Sequence, residues 1–190
     1  ISEAKRKFTV IKSGKYIDAD IRGVVYVIVA TIGRMKEYES FIKLYKKENL
    51  HEEKNRIGNA LGSFRDINIL KKVCNFSITK DVRPQDAFFI FSYVGRNLLG
   101  RDIWLNFIEK NWKTLLSLYG NGGHALSSIV KAISNSSEKK HLEKFKKFFK
   151  IHDAPGAGRA IEQVIEKLEN NITWLARDEK SIEKFLKNLK

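Results

Sequence analysis

A chain of 190 residues with 43% apolar and 11% aromatic side chains can bury a sizeable core, which excludes wholesale disorder. Its single cysteine, Cys74, excludes a disulfide framework within the chain and fits a reducing, cytoplasmic setting. A formal charge of +14 attracts nucleic acid, acidic proteins or anionic membranes, or else covers the solvated face of a larger protein, and by itself does not choose among these.

In chain order, the apolar spacing is helical almost everywhere, over roughly residues 2–12, 20–32, 36–47, 51–61, 66–76, 84–95, 100–118, 123–133, 137–149, 156–176 and 178–189. Asp18 and Asp20 are cap candidates ahead of the second segment, and Gly33 is its stop. That segment holds the longest apolar run, Gly23 to Ile32, which is too short to span a bilayer and suits a buried helix. No secretory signal pattern precedes it. Tyr38, Phe41, Ile42, Leu44 and Tyr45 form one amphipathic stripe, and Leu105, Ile108, Trp112, Leu115, Leu116 and Tyr119 another. Cys74 lies among Leu70, Val73 and Phe76, where a small buried residue is expected rather than a nucleophile. The chain begins at Ile1 and its sole methionine is Met35, so it reads as a processed product or a piece of a longer chain.

Three predicted helices end apolar-then-glycine, at Ile32-Gly33, Leu61-Gly62 and Val94-Gly95, with spacings of 29 and 33 residues. A short link and an amphipathic helix follow each glycine. Units of this size predict an all-α fold, a right-handed α-solenoid of HEAT/armadillo-like helix pairs, each pair burying its face against its neighbours. Residues 1–190 are expected to form a single helical domain, with 154–190 as a long helix and terminal cap.

No catalytic motif emerges. His51-Glu52 would need a second histidine at position 55 to make a zinc-binding helix, and Asn55 stands there. Glu52 and Glu53 suit a helix N-terminus instead. The glycine-rich stretch Asp153 to Arg159 lacks the Lys-Ser/Thr pair of a phosphate loop and reads as a loop entering a helix. Lys139 to Lys150 (KKHLEKFKKFFK) is a basic amphipathic helix, expected to pack Leu142, Phe145, Phe148 and Phe149 inward and to leave its lysines in water. Trp104, Trp112 and Trp174 are expected to pack in the core.

Several stretches, taken in order, carry a resemblance: Asp20-Ile-Arg-Gly-Val-Val-Tyr26, Glu53-Lys54 with Ala60-Leu61-Gly62, Val82-Arg-Pro-Gln-Asp86, Gly95-Arg-Asn97, Trp104-x-x-Phe107 with Asn111-Trp112, Pro155-Gly-Ala-Gly-Arg159, and Ile165 to Trp174. Over nearly the whole chain this order resembles the C-terminal helical domain of zinc gluzincin aminopeptidases, the family of the puromycin-sensitive and endoplasmic-reticulum aminopeptidases and the tricorn-interacting factors. The resemblance implies a non-catalytic helical domain that encloses the substrate chamber of a larger hydrolase. The zinc cofactor, the His-Glu-x-x-His motif and the Gly-x-Met-x-Asn loop would lie in an upstream catalytic domain, and no cofactor is expected in this chain. It also implies a peptide-contacting role for Arg96, the arginine of the Gly-Arg-Asn turn, where a guanidinium can hold a carboxylate through two parallel bonds. Arg96 could instead cap the carbonyls of the preceding helix. Arg65, after the equivalent glycine of the previous unit, is a second candidate on the same edge, and Arg83 is expected to bridge to Asp86. The implied partners are a peptide substrate and the upstream domain, with no membrane. Two rival functions are a stand-alone HEAT-like scaffold binding an acidic protein and, less favoured because no recognition motif is present, a nucleic-acid binder.

Overall fold

The structure, a computed structural model, describes residues 1–121 and 124–189. Among these the secondary structure is entirely helical, and the chain divides into two compact units, Ile1–Phe107 and Ile108–Lys190.

The first unit contains α1 (Ser2–Lys12), α2 (Ala19–Ile32), α3 (Met35–Lys47), α4 (His51–Leu61), α5 (Ile67–Ser77), α6 (Pro84–Arg96) and the first turns of α7 (Arg101–Tyr119). Local chemistry places most of these boundaries. Asp18 Oδ1 accepts from the Asp20 N–H at 3.0 Å, and Asp66 Oδ1 accepts from the N–H groups of Asn68 and Ile69, so both aspartates cap helix starts. Pro84 opens α6, where its missing N–H costs nothing. Gly14, at φ +78°, ends α1 in a left-handed turn, with its own N–H bonded to Ile11 O and the Lys15 N–H to Val10 O.

The helices pack as pairs, α1 on α2, α3 on α4 and α5 on α6, and α2, α4 and α6 stack in a row. This ladder of helix pairs is the arrangement expected from the repeat. Aromatic rings fill the space between pairs: Phe8 stacks on Phe41 at 4.7 Å, and Tyr26 and Phe64 meet Phe41 edge-on. One repeat landmark is corrected. Gly33 and Gly62 do follow α2 and α4, but Gly95 lies inside α6, and the helix ends at Arg96 because the Asn97 N–H still bonds back to Tyr93 O and Val94 O.

The second unit contains the rest of α7, α8 (Ala125–Val130), a 3-10 turn at Lys131–Ile133, α9 (Lys139–Ile151) and α10 (Gly158–Lys187). The predicted start at residue 123 lies outside the described residues. Within this unit α8, the 3-10 turn and α9 all pack on α10. Trp112 sits edge-on between Phe148 and Phe149 at 5.4 and 5.3 Å and donates its indole N–H to Asp153 O, so the apolar side of the basic helix does face inward. The glycine-rich stretch is a loop into α10, with Gly156 at φ +74°. A predicted break near Arg177 is absent, and α10 runs on because no glycine or proline interrupts the backbone there. Trp104 and Trp112 are buried as expected, whereas Trp174 is 51% exposed. No helix among the described residues is long and apolar enough to cross a membrane.

Candidate functional site

The turn Gly95-Arg96-Asn97 closes α6 with two polar side chains that do opposite things. Asn97 points into the protein. Its Nδ2 donates to Gly62 O at 2.7 Å and to Phe64 O at 2.9 Å, carbonyls just past the end of α4. Its Oδ1 accepts from the Leu99 N–H at 3.0 Å, which turns the chain toward α7. Gly100 then passes so close to Val94 that an added Cβ would lie 2.1 Å from Val94 O. The C-terminal ends of α4 and α6 are thus held together by one amide, a role that the sequence did not reveal because the accepting carbonyls lie 33 and 35 residues away.

Arg96 points outward. Its guanidinium lies over the Tyr93 ring, 4.9 Å from the centroid, and has no hydrogen-bond or ion-pair partner among the described residues. The helix-capping alternative is therefore not what the structure shows, since the Asn97 backbone N–H serves the Tyr93 and Val94 carbonyls at the end of α6. Arg65, in the link between α4 and α5, is likewise exposed and without such a partner among the described residues. Both arginines line one cleft of about 550 Å³, with Thr31, Ser63, Tyr93, Leu98 and Leu99 around them. Among the described residues no acidic side chain lines it, so neither guanidinium is neutralised locally by them. Leu98 and Leu99 add apolar surface at 68% and 44% exposure. The cleft can hold an anionic group bidentately beside a short apolar segment. Alanine at Asn97 should remove two cross-links between α4 and α6 and lower stability by about 2 kcal/mol in urea unfolding. Alanine at Arg96 should change stability by less than about 0.5 kcal/mol.

Several other chemistry-bearing residues have structural roles. Arg83 Nε donates to Asp86 Oδ2 at 2.7 Å, the bridge expected from their spacing. Glu53 is buried, not merely placed at a helix start: Tyr26 Oη donates to it at 2.5 Å, Arg56 pairs with it at 2.8 Å, and Arg22 lies 3.6 Å away. Burial, and next the hydrogen bond to Glu53, push the Tyr26 hydroxyl well above the ordinary tyrosine range. Burial pushes the Cys74 thiol up to about 12, so it holds no thiolate at neutral pH. Among the described residues no three His, Cys, Asp or Glu side chains gather to hold a metal ion.

Comparison with known proteins supports the family indicated by these motifs. Residues 1–170 match the model of the ERAP1-like C-terminal domain. The chain is 26% identical to human Aminopeptidase N over 171 residues, covering 87% of this chain and 18% of that protein. It is 28% identical to Aminopeptidase M1 of Arabidopsis thaliana over 184 residues, covering 92% and 20%. It is 26% identical to Aminopeptidase M1-B of Oryza sativa subsp. japonica over 181 residues, again covering 92% and 20%. The chain thus spans about a fifth of the length of the curated relatives it matches. With a ladder of helix pairs, the Gly-Arg-Asn turn seated on the end of α4, and a match over residues 1–170, the chain belongs to the ERAP1-like C-terminal domain family.

Proposed function

We propose that this chain is the non-catalytic helical domain of a zinc-dependent aminopeptidase, and that its arginine-lined cleft faces the substrate chamber and holds the peptide while an upstream domain removes the N-terminal residue. Zinc would be held outside this chain, whose described residues offer no ligand cluster. The observation that carries the peptide-contact role is the pairing of Arg96 and Arg65 in a cleft that no carboxylate lines among the described residues. A peptide's carboxyl end or acidic side chain could bond to the planar guanidiniums, with Leu98 and Leu99 against its apolar part. The buried thiol of Cys74 is compatible with a cytoplasmic enzyme.

The test is Arg96→Ala in the intact enzyme, alone and with Arg65→Ala. Peptides longer than dipeptides should lose about tenfold in kcat/KM, while small amide substrates that do not reach the cleft should be unaffected. Equal losses on both substrate classes would point to a folding role and sink the peptide contact. The alternative, a scaffold that binds an acidic protein through the same cleft, predicts tight binding by this chain in isolation.

A further inference from the structure

The opposite end of α2 lines a second cleft, of about 420 Å³, formed by the α1–α2 link, the start of α2 and the C-terminal end of α3. Arg22 and Thr31, which line the two clefts, are separated by about 14 Å along the helix axis at 1.5 Å per residue. Lys12, Lys15, Arg22 and Lys47 face the second cleft, and Glu48 is its one acidic lining residue among the described residues.

Three features set these cations in place. Lys15 follows the left-handed Gly14, and its N–H is tied to Val10 O at 3.3 Å, which fixes the backbone from which its side chain leaves. Arg22 Nε donates to Ile17 O at 2.8 Å, while its Nη1 forms an ion pair with Glu53 at 3.6 Å, too long for a hydrogen bond. Glu53 already takes Tyr26 and Arg56, so Arg22 retains donors for another acceptor. Lys12 rests over the Phe8 ring at 5.2 Å. Lys15 and Lys47 have no ion-pair partner among the described residues.

Opposing charge is smaller. Glu48 Oε1 accepts from the N–H groups of Asn49 and Leu50, which commits much of that carboxylate to its own turn. The C-terminal ends of α1 and α3 each add roughly half a negative charge. Glu53, shared with Arg56, offsets part of the Arg22 charge, and the excess stays positive chiefly on the three ammoniums. A single carboxylate would engage one or two of these groups. A phosphate-type anion, with acceptor oxygens in several directions and more than one charge, can engage several of them at once.

We propose that this cleft binds a compact polyanion of the phosphate class, either a free polyphosphorylated molecule or a phosphorylated lipid headgroup, at a site separate from the peptide cleft. The probes are inorganic tripolyphosphate, titrated calorimetrically into the full chain, and vesicles with or without a phosphoinositide, assayed by sedimentation. The paired variant Lys15→Glu/Lys47→Glu alters two exposed side chains that make no hydrogen bond or ion pair among the described residues, so its fold should be retained, as circular dichroism would verify. The control Lys139→Glu/Lys150→Glu changes net charge equally on exposed positions of α9. Tripolyphosphate should bind the parent and the control within about twofold of each other, and the paired variant at least about tenfold more weakly. Binding of tripolyphosphate alone supports the site with a free ligand as its source, and sedimentation lost only in the paired variant supports a lipid headgroup. Equal weakening in the control, or no binding of either probe, overturns the proposal, and neither result bears on the Arg96 test.

Discussion

Replacing Glu53 with alanine is expected to destabilise the chain by about 3 kcal/mol, measured as a fall in the urea midpoint. The carboxylate is 1% exposed and is the hydrogen-bond acceptor of the fully buried Tyr26 hydroxyl. Its loss strands that hydroxyl away from water and removes the counter-charge between Arg22 and Arg56. The side chains of both arginines remain about a quarter exposed, and Arg56 keeps Glu52 at 2.5 Å, so water and Glu52 soften the loss. Tyr26→Phe combined with Glu53→Leu should therefore cost about 1–2 kcal/mol less than the two single changes added together. Strict additivity would show that the pair is not coupled.

The same contact sets an alkaline limit. The Tyr26 ionisation lies above its ordinary value of 10.0 in the folded chain, first through burial and next through the Glu53 hydrogen bond. Burial, with the charge of Asp86 second, also raises the Tyr45 hydroxyl, to about 12. Above the unfolded value the unfolded chain releases a proton that the native chain keeps, so the unfolded state binds fewer protons and stability falls as pH rises. The contribution is complete below pH ~10 and is lost as pH climbs through the folded value. Tyr26→Phe should remove up to about 1.4 kcal/mol per pH unit from that slope. An unchanged slope would mean that Tyr26 ionises normally in the fold.

Gly62→Ala should cost about 3 kcal/mol, while Gly58→Ala should be close to neutral. Gly58 lies in α4 and Gly62 just past its end, four residues apart, and both meet α6. A Cβ at Gly62 would stand 2.5 Å from Tyr93 Cβ and 2.8 Å from the Tyr93 carbonyl carbon, and backbone cannot move aside without pushing α6 away. A Cβ at Gly58 would meet Ile90 Cγ1 at 2.9 Å and Cδ1 at 3.0 Å, atoms of a side chain that can shift. There the gain of about 1 kcal/mol in helix propensity offsets the crowding. Because Gly62 also lines the arginine cleft, displacement of α6 would change the spacing of Arg96 and Arg65. Paired guanidinium chloride unfolding curves would check the contrast, and equal costs at both positions would show that the backbone contact is not the cause.

The stretches that carried the family resemblance are the ones the fold brings together. Arg22 and Tyr26 from one stretch meet Glu53 from another, and Asn97 from a third reaches Gly62. In sequence these are separate fragments, and their joint order was informative because each is half of a contact. The contacts were not legible, since nothing local distinguishes a buried Glu53 from the exposed Glu52 beside it.

Helix identity and most boundaries were set by short-range chemistry. Apolar spacing, the capping aspartates at 18 and 66, Pro84 and the left-handed Gly14 act within a few residues, so the chain alone specified an all-helical ladder of pairs. The burial of Glu53 under Tyr26 depended on a partner far away in sequence, whereas the end of α6 at Arg96 rests on bonds from the Asn97 N–H to Tyr93 and Val94. The site divides the same way. The sequence singled out Arg96 and Arg65 as unusual residues at helix corners. Their meeting in one acid-free cleft followed from the close approach of α4 and α6 that Gly62 permits and Asn97 holds, a tertiary contact that no local pattern encodes.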